Sequence, residues 1–284
     1  MARLSLITPE DLLDLVRRRV TDITIIDARH RDDYLAGHIN GALNLLWSDF
    51  CQEAPVSAGD QFARPGWWGL LLDPVSAGLA RRLAEMGIDS DSRIIVYADG
   101  QVSKGLEGRI AWMLLYLGAR DLSILDGGFS AWIRAGGTIE SRANEKDPAR
   151  FDLDIDHRRR ITMEELFLEL NSRADAFLLD ARSSPEFNGE VYSYLTRMGH
   201  IPKAVLFPFT SMFQSDEKRY IDRQDYLSRL AGTGALSPPL AAYCELGLRA
   251  ATIALLHELY TGEPVRIFDG GYMQWTTTPA MPVA

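Results

Sequence analysis

Seven consecutive residues, Tyr243-Cys244-Glu245-Leu246-Gly247-Leu248-Arg249, bring together a thiol, a glycine and a cation. They follow the apolar run Pro239-Leu240-Ala241-Ala242 and open a helix-like apolar run over 250–259. A cysteine at the end of a short strand, on a tight loop feeding a helix, meets loop amides and the positive end of that helix. Both favour an anion at the sulfur. The pattern predicts nucleophilic or redox sulfur chemistry at Cys244. A cysteine is also common as an inert core residue, but the loop context argues against that reading here. Cys51 lies in an irregular, mixed segment and is read as incidental.

Such a loop needs a strand behind it and a helix in front. The first half of the chain alternates short β-type runs at 23–27, 42–45, 94–97 and 122–125 with helical patterns at 9–19, 74–86, 107–117 and 129–135. This alternation predicts an α/β fold with a mostly parallel sheet flanked by helices. Ligand sites in such sheets lie at the carboxyl ends of the strands, which is where Cys244 falls.

The chain also repeats itself. Ile7-Thr8-Pro9-Glu10-Asp11 matches Ile161-Thr162-Met163-Glu164-Glu165, an N-cap threonine before an acidic first turn. Asp27-Ala28-Arg29 matches Asp180-Ala181-Arg182, and Gly37-His38-Ile39 matches Gly199-His200-Ile201. Ile94-Ile95-Val96-Tyr97 matches Leu240-Ala241-Ala242-Tyr243. Asp126-Gly127-Gly128, with Trp132 beyond, matches Asp269-Gly270-Gly271, with Trp275 beyond. Matched segments in one order mean two copies of one domain. They are expected at residues 1–140 and 160–284, joined by a polar stretch containing Glu145-Lys146-Asp147-Pro148.

The two copies differ where the chemistry lies. Aligning Tyr97 with Tyr243 sets Ala98 opposite Cys244 and Asp99 opposite Glu245. The first copy is therefore expected to be non-catalytic and the second catalytic. Asp-Ala-Arg reads as a carboxylate–guanidinium pair closing a strand, the two histidines as turn residues, and the Asp of Asp-Gly-Gly as a helix cap. Trp67 and Trp68 read as packing residues or as the lining of a pocket.

Composition narrows the function classes. The chain has 284 residues, is 46% hydrophobic and 24% charged, and carries a net charge of −9. That balance is globular and argues against nucleic acid or an anionic membrane as partner. The basic runs Arg17-Arg18-Arg19 and His157-Arg158-Arg159-Arg160 read as solvated helix ends or linker. Two cysteines exclude a disulfide framework, and five scattered histidines give no metal-ligand spacing. No cofactor is called for. With no signal-like or membrane-spanning run, a cytoplasmic protein is expected.

Taken together, the doubled Asp-Ala-Arg, Gly-His-Ile and Asp-Gly-Gly motifs and the Cys244 loop resemble the tandem-domain rhodanese sulfurtransferases, which include thiosulfate and 3-mercaptopyruvate sulfurtransferases. The resemblance covers nearly the whole chain. It implies that Cys244 accepts a sulfane sulfur as a persulfide and passes it to cyanide or a thiol, with ping-pong kinetics. It implies a substrate cradle of Glu245, Leu246, Gly247, Leu248 and Arg249, and a substrate contact by Arg109 of the first copy through its guanidinium. Small-molecule donors and acceptors are the partners implied.

The loop also resembles that of cell-cycle-type phosphatases and arsenate reductases, where five residues separate cysteine from arginine. Here four residues separate Cys244 from Arg249, a smaller cradle that suits a sulfur atom better than a phosphate. A non-catalytic sulfur-binding module is the third reading. Glu245 and Leu246 depart from the basic residues of vertebrate thiosulfate enzymes and from the Gly-Ser-Gly of mercaptopyruvate enzymes, which leaves the donor open. Arg249 is expected to offset Glu245 or to pair with Glu186 and hold the loop shut.

Overall fold

The computed structural model describes residues 2–20, 22–59, 66–191, 197–214, 219–234 and 238–284. The chain forms two compact units. The first comprises Met1–Trp47, Asp73–Asp156 and Phe213–Tyr220, and the second Ser48–Leu72, His157–Met212 and Ile221–Ala284. Neither is continuous in sequence: each repeat contributes a segment to the unit built mainly by the other.

In the first unit the elements run β1 (Arg3–Ile7), α1 (Pro9–Arg17), β2 (Ile23–Asp27), α2 (Arg31–Ala36), β3 (His38–Ile39), β4 (Leu43–Asn44), α3 (Leu79–Glu85), β5 (Arg93–Tyr97), α4 (Leu106–Leu117), β6 (Asp121–Leu125), α5 (Gly128–Arg134) and β7 (Ile139–Glu140). Five strands form a wholly parallel sheet in the order β1-β6-β5-β2-β4. Its central strands, Ile-Thr-Ile-Ile and Ile-Ile-Val, are apolar on both faces because helices cover both. Thr8 caps α1 by accepting from the Asp11 amide. The helical pattern over 74–86 begins with turns, and α3 itself starts only at Leu79. The N-terminal strand β1 had no counterpart among the expected strands.

The second unit repeats this plan: α6 (Met163–Ser172), β8 (Leu178–Asp180), α7 (Ser184–Phe187), β9 (Ala204–Leu206), α8 (Arg223–Gly232), β10 (Ala241–Tyr243), α9 (Leu248–Thr261), β11 (Arg266–Ile267) and α10 (Gly271–Thr277). Its sheet is parallel in the order β11-β10-β8-β9. Arg160 bridges Ile267 in the place that β1 takes in the first unit. Leu166, Leu178, Tyr243, Phe268 and Trp275 form its core, as Leu12, Ile25, Tyr97 and Trp132 do in the first.

The doubled motifs hold strand ends. Asp27 takes two hydrogen bonds from Arg29 Nε and one from Nη2, and a fourth from the Tyr97 hydroxyl at 2.7 Å. Arg29 also donates to the Gly37 carbonyl at 2.7 Å. In the second unit Asp180, Arg182, Tyr243 and Gly199 repeat the network. A buried ion pair hydrogen-bonded in this way ties strand end to turn. His38 stacks on Tyr34 and bonds its carbonyl through Nδ1 (2.7 Å), and His200 does the same with Phe187 (3.1 Å).

Of the basic runs, Arg17-Arg18-Arg19 is exposed at the end of α1. The second run differs from expectation. Arg159 is buried against Glu258, and Arg160 pairs with Asp269 at 3.0 Å, so two of its arginines are internal ties rather than solvated linker.

Candidate active site

Cys244 lies immediately after β10, at the carboxyl edge of the second sheet, and is 1% exposed. Neighbouring strands deliver Asp180 and Asp269 to the same edge. Gly247, with φ +78°, turns the chain into α9, and a side chain at that φ is disfavoured.

The loop's carbonyls are held from one side. The amides of Tyr272 and Met273, in the first turn of α10, donate to the carbonyls of Cys244 (2.8 Å) and Glu245 (3.2 Å). In a trans peptide the carbonyl and the following N–H point in opposite directions. The amides of residues 245 and 246 therefore face away from the α10 amides that hold those carbonyls. This is how a loop aims several donors at one anion. The approach is close: a Cβ on Gly271 would stand 2.3 Å from the Glu245 oxygen and 2.7 Å from that of Cys244. Gly271 also has φ +60°. The Asp-Gly-Gly glycine is thus required twice over. Its aspartate does not cap, since Gly127 and Gly270 are the N-caps of α5 and α10.

Arg249 is the loop's cation. Its Nη1 and Nη2 donate to Glu186 at 2.8 and 2.7 Å, and Nη2 lies 3.9 Å from Glu245. Burial alone would lower the Arg249 pKa, but its hydrogen bonds to Glu186 and the neighbouring Cys244 and Glu245 raise it. Burial likewise would raise the Glu186 carboxyl, yet Arg249 and Ser183 hold it down at about 2. Of the two partners considered for Arg249, Glu186 has the bidentate geometry and Glu245 is the more distant. Glu186 also closes a capping box at α7 with Ser183, so the loop is tied to a second helix.

A strap from Ser48–Leu72 reaches the other side of the loop. Its limbs pair antiparallel at Cys51 and Leu71, and Cys51 Sγ lies 3.5 Å from the Gly69 carbonyl. Gly69 sits flush on the backbone of Leu246: a Cβ there would be 2.8 Å from the Leu246 oxygen. Trp68, on the other face of the strap, lines a cavity of about 330 Å³ with Leu70, Gln274 and Thr277, while Trp67 is 38% exposed.

Among the residues expected in the site, Cys244, Glu245, Leu246, Gly247, Leu248 and Arg249 form one loop and helix start. Leu246 is buried and the Glu245 side chain is 18% exposed. Arg109 belongs to the first unit, on α4, buried with its guanidinium 4.7 Å from the Trp112 ring. The first unit's counterpart of the loop ends at Gly105, again a left-handed N-cap, and two positions later carries Glu107 where the second carries Arg249. Glu107 is buried, with a pKa pushed up to about 7 by desolvation despite a hydrogen bond from the Tyr220 hydroxyl. Among the described residues no helix is long and apolar enough to cross a membrane.

Known proteins share this architecture. The rhodanese-like domain matches residues 8–135 and again 163–278. A Pseudomonas aeruginosa protein named "probable 3-mercaptopyruvate sulfurtransferase" is 31% identical over all of this chain and 99% of its own. The 3-mercaptopyruvate sulfurtransferase of Escherichia coli K12 is 27% identical over 92% of each chain. The thiosulfate sulfurtransferase of Gallus gallus is 28% identical over 71% of this chain and 70% of its own. The crystal structure of SseA from Escherichia coli, described with the "rhodanese" fold of 3-mercaptopyruvate sulfotransferases, superposes with a TM-score of 0.76 at 26% identity, covering 94% of this chain and 98% of that one. An anaerobic ergothioneine biosynthesis enzyme from Chlorobium limicola shares the fold at 22% identity and a TM-score of 0.80, over 98% of this chain and 69% of that one. With two matched domains, each a parallel sheet carrying the same strand-end network, this chain belongs to the rhodanese-like family.

Proposed function

We propose that the protein is a sulfurtransferase that carries a sulfane sulfur as a persulfide on Cys244. The observation that supports this most is the pinning of the Cys244 and Glu245 carbonyls by α10, which leaves the loop amides aimed away from it. In the first step the Cys244 thiolate attacks the outer sulfur of the donor. A sulfur–sulfur bond forms, the donor's bond to that sulfur breaks, and its remainder leaves with the electron pair, as sulfite from thiosulfate or pyruvate enolate from mercaptopyruvate. The terminal sulfur of the persulfide is stabilised by fixed amide dipoles of residues 245–249. In the second step cyanide or a thiolate attacks that terminal sulfur and Cys244 departs as thiolate, ready for another cycle.

Glu245, Leu246, Gly247, Leu248 and Arg249 form the cradle in this reading. Arg109 is carried as an anion-binding residue on the strength of the family resemblance, and its test is a raised KM for anionic donors in Arg109→Lys with kcat retained. The second repeat, 160–284, is the catalytic one and the first, 1–140, is not. The donor class is thiosulfate, mercaptopyruvate or a low-molecular-weight persulfide.

Intact mass after incubation with each donor tests the proposal. The expected result is a gain of one sulfur, lost on adding cyanide and absent in Cys244→Ser. A Cys244→Ser protein that still transfers sulfur would sink it, and hydrolysis of an aryl phosphate with vanadate inhibition would favour the phosphatase reading instead.

A further inference from the structure

The Asp269 carboxylate is buried and is not the N-cap of α10, which is Gly270. Instead it receives the Leu71 amide on Oδ2 at 2.7 Å and Arg160 Nε on Oδ1 at 3.0 Å. Arg160 Nη2 in turn donates to the Leu71 carbonyl at 3.3 Å. Both polar backbone groups of one strap residue are thereby fixed by one ion pair. Two residues earlier, Gly69 lies against Leu246 in the middle of the cysteine loop. Two residues after Asp269, Gly271 and the first turn of α10 hold that loop's carbonyls.

We infer that Asp269 is a positioning residue for the Cys244 loop: by holding the strap at Leu71 it presses Gly69 onto Leu246, so that the loop is gripped between strap and α10. The inference rests on the reading of Cys244 as the sulfur-carrying nucleophile only for its catalytic consequence. The gripping itself is a matter of backbone mobility.

The molecule contains its own control. In the first unit Asp126 Oδ1 accepts from the Tyr220 amide at 2.9 Å, and the segment bearing Tyr220 pairs antiparallel at Phe213. The packing beneath it is also the same, since a Cβ on Gly128 would lie 2.2 Å from the Ala98 oxygen. Asp126 thus holds a comparable segment in the unit whose loop has no nucleophile.

The experiment compares Asp269→Asn with Asp126→Asn in the full chain. Asparagine has one acceptor oxygen where the Asp269 carboxylate uses two, so either the Leu71 amide or Arg160 Nε is left facing an NH₂ group. Asp126→Asn makes the same chemical change in the unit whose loop has no cysteine. Amide hydrogen exchange across residues 244–249 is expected to speed at least tenfold in Asp269→Asn and to stay within about twofold of wild type in Asp126→Asn. The kcat for sulfur transfer is expected to fall at least tenfold in Asp269→Asn, with KM for the donor within about twofold. Unchanged exchange over 244–249 in Asp269→Asn, or the same change in both variants, would overturn the inference. Should Asp269→Asn fail to fold, Gly69→Ala carries the test: its Cβ would meet the Leu246 oxygen directly, and wild-type exchange and kcat in that variant would overturn the inference equally. Altered exchange with no sulfur transfer in the wild type would reject the sulfurtransferase reading and leave the grip standing.

Discussion

Arg249 spends both terminal nitrogens on Glu186, and the pair sets the loop's response to acid. The Glu186 pKa is depressed in the folded state to about 2. Its contribution to stability is therefore complete above the ordinary carboxylate range and is lost as pH falls from about 4.5 toward 2. Glu186→Gln is expected to destabilise the protein by about 1–3 kcal/mol at pH 7, because a charged hydrogen-bond pair is broken. It should lower sulfur-transfer activity and flatten the acid limb of the unfolding curve; denaturant titrations between pH 2 and 7 check this. Glu107 has the opposite sign. Its pKa is raised to about 7, so the stability linked to its neutral form is full below about 4.5 and is lost as pH rises through 7. Glu107→Gln is expected to remove a slope worth on the order of 3 kcal/mol across that window, measured by the same titrations. Because a buried carboxyl stands where the second unit has Arg249, Ala98→Cys is expected to gain no sulfur of its own in the mass assay.

At the scale of elements, the glycines that follow Asp126 and Asp269 mark where a helix start meets the loop of the preceding strand. Gly271→Ala, with φ +60° and a carbonyl oxygen 2.3 Å from the new Cβ, is expected to destabilise by about 1–3 kcal/mol and to cut activity with it; thermal unfolding and steady-state rates measure both. Strands β2, β5 and β6 and helices α1, α4 and α5 could be read from the sequence because their apolar patterns are clear, with Thr8 marking the start of α1. The Cys244 loop was legible because strand end, cysteine, glycine and arginine lie within seven residues. The strap was not. Its sequence carries no helix or strand period, and its described residues form short 3-10 turns at Trp47–Phe50 and Val56–Ala58 and one bridge between Cys51 and Leu71. The role of Asp269 was hidden for the same reason: its partner Leu71 lies 198 positions away, and no local spacing points to it. The His-Arg-Arg-Arg run misled because charge density reads as solvent exposure, while Arg159 and Arg160 each have a carboxylate from a distant element.

At the scale of the molecule, two domains read as 1–140 and 160–284 are knitted by segments that change sides. A fragment of residues 160–284 lacks Leu71, so Asp269 and Arg160 lose the strap they hold and the face of Leu246 is bared. Such a fragment is expected to lose cooperative unfolding and dispersed amide resonances, and to regain both when a peptide spanning 48–72 is added; circular dichroism and NMR spectra of the two samples would decide it.

The distance between Leu71 and Asp269 also has a meaning in time. Ribosomes add on the order of 5–20 residues per second, so the strap exists for roughly 10–40 s before the aspartate that seats it has been made. Cys244 emerges before Asp269 as well, and its loop can be gripped only after both have left the tunnel. On the proposed reading, the thiol therefore becomes a working nucleophile at a late point in synthesis, after every strand of the sheet that carries it has been made.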